Sequence, residues 1–338
     1  MSTRALCLST DVGLRRSLRR ALGAAGASVV FFDGFGALVA AAEASRRGEV
    51  LTGDLAELVN GVQLVLVDEP QATSVSFAEA TGVLAWLGHP KVVLLGDALG
   101  FDSSLDMLRR SDCDHVVGSD AGPDGERAVD EGAVMVTSLK LLRGDIFGVE
   151  RYLTHGVEVH SREIRTYDEK RTAIAAVAEY AKDLGCRRQL TARIESVTDE
   201  LLMNALYDAP FLRTGINYRE HAVPGGGAIG LGSAMLRYAC DGHYLGVSVE
   251  DGYGELRKSS ILDHLERARE EKGSPRRVEE SSNSGGAGLG LYFILNSVTR
   301  FVANVRTGAA TEVIGLFDVR GPTKDAHQRA RTLSIFVN

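Results

Sequence analysis

The chain has 338 residues, is 44% hydrophobic and 25% charged, and carries a formal charge of −7. That length predicts two domains, each large enough to bury its own core, and that composition is the usual one for a globular protein. Residues 1–145 hold 13 Lys+Arg against 20 Asp+Glu while residues 146–338 hold 25 of each; neither half has the basic footprint of a nucleic-acid binder.

The apolar stretch Ala21–Ala42 is interrupted by Asp33 and several glycines, so it is not read as a membrane span. The start shows no apolar core followed by a small-residue cleavage site. Cys7, Cys113, Cys186 and Cys240 are scattered, without the paired spacing of a zinc site or a disulfide framework. A cytoplasmic protein with no membrane partner is expected.

In chain order, Ala5–Leu8, Ser28–Phe32, Val62–Val67, Val92–Leu95 and His115–Val117 read as five buried strands. Val12–Ala25, Gly36–Arg46, Ser76–Leu87, Ser103–Arg110 and Ala128–Leu142 read as helices between and after them. This alternation predicts a doubly wound five-stranded parallel sheet over residues 1–145. Residues 146–167 follow as a linker of weak periodicity that contains His155 and His160. Neither histidine stands on a long helix flanked by acidic residues. Thr172–Leu184 then reads as an amphipathic, alanine-rich helix, the first of a second domain over 168–338 or part of a homodimer interface.

Leu190–Leu206 is helical by its apolar spacing, and Glu200 and Asn204, four apart, share one face. A carboxamide oxygen at Asn204 suits Mg²⁺, and a carboxylate at Glu200 suits a general base. Thr214–Gly232, with its cluster Gly225–Gly230, reads as an inserted loop that meets a partner. Tyr244–Glu250 is a strand ending in the sharp turn Asp251-Gly252-Tyr253-Gly254. A buried carboxylate at Asp251 would accept a hydrogen bond from an exocyclic amine such as adenine's. Residues 255–286 are polar, with a helix at Ile261–Glu271, and read as a mobile lid in which Arg276 and Arg277 approach a γ-phosphate. The run Gly286-Ala287-Gly288-Leu289-Gly290-Leu291 opens a helix over Leu289–Val298. Its glycines let backbone N–H groups close on phosphate oxygens. Phe301–Thr307 and Thr311–Val319 read as a hairpin.

Two resemblances organise these motifs. Leu8–Leu18 resembles the first turn of response-regulator receiver domains and Val65–Asp68 their third strand, which implies that Asp68 stands at the phosphoacceptor position. Receivers also carry two acidic residues after the first strand, a hydroxyl residue after the fourth and a lysine after the fifth. Here Ser9 and Thr10, Gly96-Asp97, and Gly118-Ser119 occupy those places. Because phosphoryl transfer to a carboxylate needs a metal and a cation, residues 1–145 are expected to be a pseudo-receiver used for docking or dimerisation. The order of three boxes in the second half resembles the GHKL ATP-binding module shared by histidine kinases, anti-sigma-factor serine kinases, the Hsp90 chaperone, DNA gyrase and MutL. Glu200 and Asn204 match the first box; Asp251, Gly252 and Gly254 match the second; Gly286, Gly288, Leu289 and Gly290 match the third. The resemblance implies an α/β sandwich with helices on one face of its sheet, binding ATP with Mg²⁺ held at Asn204. Two departures are a lid without phenylalanine and Asp208 where a basic residue often follows the first box.

Taken together, these residues predict a protein kinase of the partner-switching kind, passing the ATP γ-phosphate to a serine or threonine of a regulatory protein partner. The alternatives are a non-catalytic ATP-gated interaction module and a histidine kinase.

Overall fold

The computed structural model describes residues 3–58, 61–96, 108–109, 113–121, 126–221, 223–229, 232–272, 289–320 and 330–338. The chain is mixed α/β and divides into two compact units. The first comprises Met1–Ile146 with Ala330–Ser334, the second Phe147–Arg329 with Ile335–Asn338. Among the described residues no helix is long and apolar enough to cross a membrane.

In the first unit, strands β1 (Thr3–Leu8), β2 (Ala27–Phe32), β3 (Val62–Asp68), β4 (Lys91–Gly96) and β5 (His115–Ala121) form a parallel array in the order β2-β1-β3-β4-β5. Helices α1 (Val12–Ala24), α2 (Phe35–Arg46), α3 (Asp54–Leu58), α4 (Glu69–Thr73) and α5 (Phe77–Trp86) lie between the strands. The strands are near-continuous apolar runs because both faces are covered. Ala5, Cys7, Leu64, Leu66, Val93, Leu95 and Val117 form one core with Leu14, Leu18 and Leu22 of α1. Their strand neighbours Leu6, Leu8, Val65, Val67, Leu94 and Val116 are equally buried and alternate to the opposite face. The helix expected at Ser103–Arg110 falls mostly outside the described residues.

The helix expected from Ala128 begins later. Arg127–Val129 instead forms β6, antiparallel to β5 with Ala121 opposite Arg127 and Ser119 opposite Val129. Asp130 then caps α6 (Glu131–Arg143), accepting from Ala133 N at 3.1 Å, and Gly144 ends the helix in the left-handed conformation. Leu333 and Ser334, from β12 (Thr332–Val337), pair with Val116 and His115.

Asp68, at the end of β3, is 2% exposed. Arg127 Nη1 donates to both of its carboxylate oxygens, at 2.8 and 2.9 Å, and Ser9 Oγ donates to one at 2.9 Å. Arg127 Nη2 in turn reaches Ser119 Oγ at 2.7 Å. A buried charge of this kind persists only when it is paired, and the pair ties β6 to β3.

In the second unit β7 (His160–Ile164), β8 (Ala234–Cys240), β9 (Tyr244–Asp251), β10 (Arg300–Arg306) and β11 (Ala310–Asp318) run antiparallel in the order β10-β11-β9-β8-β7. Asn338 bonds Val305 and Thr307 beside β10. Residues 147–167, expected as a linker, supply a 3₁₀ turn (Val149–Tyr152) and the edge strand β7 of this unit. The turn is seated by Glu312, whose Oε2 accepts from Gly148 N and from Asn304 Nδ2, both at 2.8 Å. The other face carries α7 (Tyr167–Asp183) and α8 (Arg188–Met203). A π-helical turn (Asn204–Asp208) follows, then α9 (Ala209–Thr214), α10 (Lys258–Lys272) and α11 (Leu289–Ser297). Thr166 opens α7 with a capping box to Glu169.

Arg127→Met should destabilise the first unit by about 3 kcal/mol, because it strands the Asp68 carboxylate. Adding Asp68→Leu should restore most of that loss, since no buried charge then remains. Denaturation midpoints of the two variants and the wild type measure the coupling.

Candidate functional site

A cavity of about 360 Å³ opens in the second unit between the sheet and α8, α9 and α10. Its floor comes from β9 and β11, whose pairing sets Asp251 directly opposite Thr311 and Val249 opposite Val313. All four line the cavity, because alternate strand residues share a face. Leu201, Asn204 and Ala205 form the wall from α8 and the turn that follows it, and Asp208, Ala209 and Leu212 extend that wall.

Asp251 is 7% exposed and accepts from Tyr253 N at 2.8 Å. Burial pushes its carboxyl up to about 7, opposed by the backbone N–H groups of Tyr253 and Gly254 and reinforced by Glu250 and Glu255. Among the described residues no cation pairs with it directly, unlike Asp68. Gly254 has φ +66 and packs against the backbone of Arg306, Gly308 and Ala309, where a side chain would overlap the Arg306 carbonyl. That close approach closes the turn after β9 onto the β10–β11 hairpin. Gly252 has open space around its Cα and needs no glycine on steric grounds.

Glu200 and Asn204 lie together as expected, and Gly290 of α11 meets both. A Cβ at Gly290 would overlap the Glu200 carboxylate and lie 3.7 Å from Asn204 Oδ1. Asn204 is also the first residue of the π-helical turn, an irregularity often found where a helix presents a side chain to a site. Leu289 starts α11. Gly286 and Gly288 lie outside the described residues, as do Arg276, Arg277 and the rest of residues 273–286 of the region expected as a lid; Lys258–Lys272 of that region forms α10.

Two ion pairs flank Glu200. Lys170 Nζ meets Asp199 at 2.5 Å and Arg219 Nη2 meets Asp208 at 2.6 Å. Burial raises the Glu200 carboxyl above the usual range, Asp199 and Asp208 add to the rise, and Lys170 and Arg219 oppose it. Arg219 comes from the 3₁₀ turn Tyr218–His221, within the segment expected as an inserted loop. Four residues of this neighbourhood were not singled out in the sequence. Thr311 is buried opposite Asp251, its hydroxyl without a partner among the described residues; its only signal was a threonine opening a strand. His264, Arg219 and Lys170 carried no local signal at all.

Among the described residues no group of three or more His, Cys, Asp or Glu side chains could hold a metal ion. A hard divalent ion beside Asn204 would therefore complete its shell from phosphate oxygens and water.

No protein-family model matches the chain, and no curated protein matches it. Among solved structures, it is similar to the GCN5-related glucosamine N-acetyltransferase region of a fungal multi-domain GH3 beta-N-acetylglucosaminidase. The identity is 10% over 74% of this chain and 24% of that chain, with a TM-score of 0.22. Likeness at that level carries no argument about fold or activity.

The elevated Asp251 carboxyl gives the second unit a pH dependence of known sign. Its folded value lies above its unfolded one, so between about pH 4 and 7 the native state binds more protons and stability falls as pH rises. Asp251→Asn should remove that fall, on the order of 3 kcal/mol, in urea denaturation compared at pH 4.5 and 7.5.

Proposed function

We propose that this chain is an ATP-binding signalling protein whose second unit is of the GHKL type, acting as a protein kinase on a serine or threonine of a regulatory partner. The observation that carries the reading is one cavity lined by Asp251 and Thr311 from the sheet and by Asn204 from the helical wall. Glu200 and the bare backbone of Gly290 lie against each other beside Asn204.

In this reading Asp251 accepts the exocyclic amine of adenine, with Thr311 Oγ1 as a second hydrogen-bonding group on the same face. Asn204 Oδ1 would hold Mg²⁺, which when bound neutralises charge on the phosphates. Glu200, raised toward neutrality by its surroundings, takes the proton of the incoming hydroxyl. That hydroxyl oxygen bonds the γ-phosphorus, the bond to the β-phosphate oxygen breaks, and ADP leaves. Gly290 matters because a side chain there would displace the base.

The histidine-kinase alternative is weakened by the placement of the two histidines. His160 lies on strand β7, its ring 5.0 Å from those of both Tyr180 and Tyr238, and His155 lies in the turn before it. Neither stands on a helix. The first unit fits a receiver-like docking module in which Arg127 fills the place a metal would need beside Asp68. A cytoplasmic location belongs to the same proposal.

Calorimetric titration with Mg²⁺ and a non-hydrolysable ATP analogue, against the GTP counterpart, tests this. Wild type should bind the adenine nucleotide selectively, and Asn204→Ala should lose at least about tenfold in magnesium-dependent affinity. Glu200→Gln should keep the affinity and abolish phosphoryl transfer to partner; turnover at the wild-type rate would remove Glu200 as the base and leave an ATP-gated interaction module. Absence of any nucleotide binding by folded wild type would overturn the reading.

A further inference from the structure

The wall of the cavity formed by α10 is polar, with Ser260, Asp263, His264 and Arg267 facing it. Ser260 and His264 both line the cavity, and four residues apart they stand one turn apart on one face. His264 is 8% exposed, and its Nδ1 is buried without a hydrogen-bond partner among the described residues. Leaving such a group unpaired is costly, so a histidine held there asks for a ligand group.

Resting on the nucleotide reading of the cavity, we infer that His264 and Ser260 form the subsite that reads the sugar of the nucleotide, one hydrogen-bonding group for each hydroxyl of a vicinal diol. The base edge already has Asp251 and Thr311 on the sheet, and the phosphates have Asn204 and Gly290. The sugar is the remaining polar part of the ligand, and α10 is the remaining polar wall. A hydroxyl both donates and accepts, so it satisfies a neutral imidazole nitrogen in either tautomer. Burial lowers the His264 pKa, with Arg267 beside it adding to the effect and Asp263 opposing it. The ring is therefore neutral at pH 7 and is a poor partner for a phosphate, which leaves the hydroxyl as its match.

The test compares a non-hydrolysable ATP analogue with its 2′,3′-dideoxy form, both with Mg²⁺, on wild type, His264→Phe and His264→Asn. Wild type should prefer the ribose form by about tenfold, the worth of one to two hydrogen bonds. His264→Phe, which keeps the bulk of the ring, should bring the two ligands within about twofold of each other. His264→Asn, whose amide can still hydrogen-bond, should keep part of the preference. A preference unchanged in His264→Phe, or absent from wild type that binds both forms, would overturn the sugar subsite while leaving the nucleotide site in place. Wild type that is folded and binds neither form would overturn both.

Discussion

The pairing of β9 with β11 is the constraint on which the candidate site depends. Its register sets Asp251 against Thr311 and Val249 against Val313, and strand alternation turns all four toward the helices. A slip of one residue would put Glu250 and Glu312 there instead. Glu312 opposes such a slip, because on the other face it is wholly buried and holds Gly148 and Asn304. Successive residues of one strand thus serve two different ends, lining the cavity on one face and seating the 147–152 segment on the other.

Carboxylates in the two units illustrate opposite treatments of the same group. Asp68 is buried with a guanidinium and a hydroxyl on its oxygens, so its charge is satisfied inside the protein. Asp251 is buried against two backbone N–H groups with no cation on it among the described residues, and burial raises its affinity for a proton. The first arrangement leaves nothing for a ligand to supply. The second leaves a strong acceptor facing a cavity, where a donor from outside would stabilise the ionised form.

Around Glu200 the charges are arranged so that, among the described residues, its carboxylate stands beside two ion pairs rather than in one. Lys170 and Arg219 are each engaged by another acid, Asp199 and Asp208, so neither neutralises Glu200 outright. The two pairs come from α7 and from the loop after α9, elements far apart in the chain.

The amino-acid sequence by itself determined the local elements. Apolar runs marked β1 to β5, apolar spacing marked α7 and α8, the four-residue spacing on one helical face marked Glu200 and Asn204, and glycine-bearing runs marked Asp251 and Gly290. These signals are short-range, carried by residues within one or two turns of each other. Tertiary structure alone decided the partners. β7, β8 and β12 had no strong alternation and became strands because a neighbour offered its backbone. Residues 127–129, which looked like the start of a helix, became β6 because β5 and the Asp68–Arg127 pair hold them extended. Thr311, Arg219 and His264 joined the site through contacts spanning tens of residues. No window of sequence shows such contacts, since the burial that gives those side chains their meaning exists only after the chain has folded.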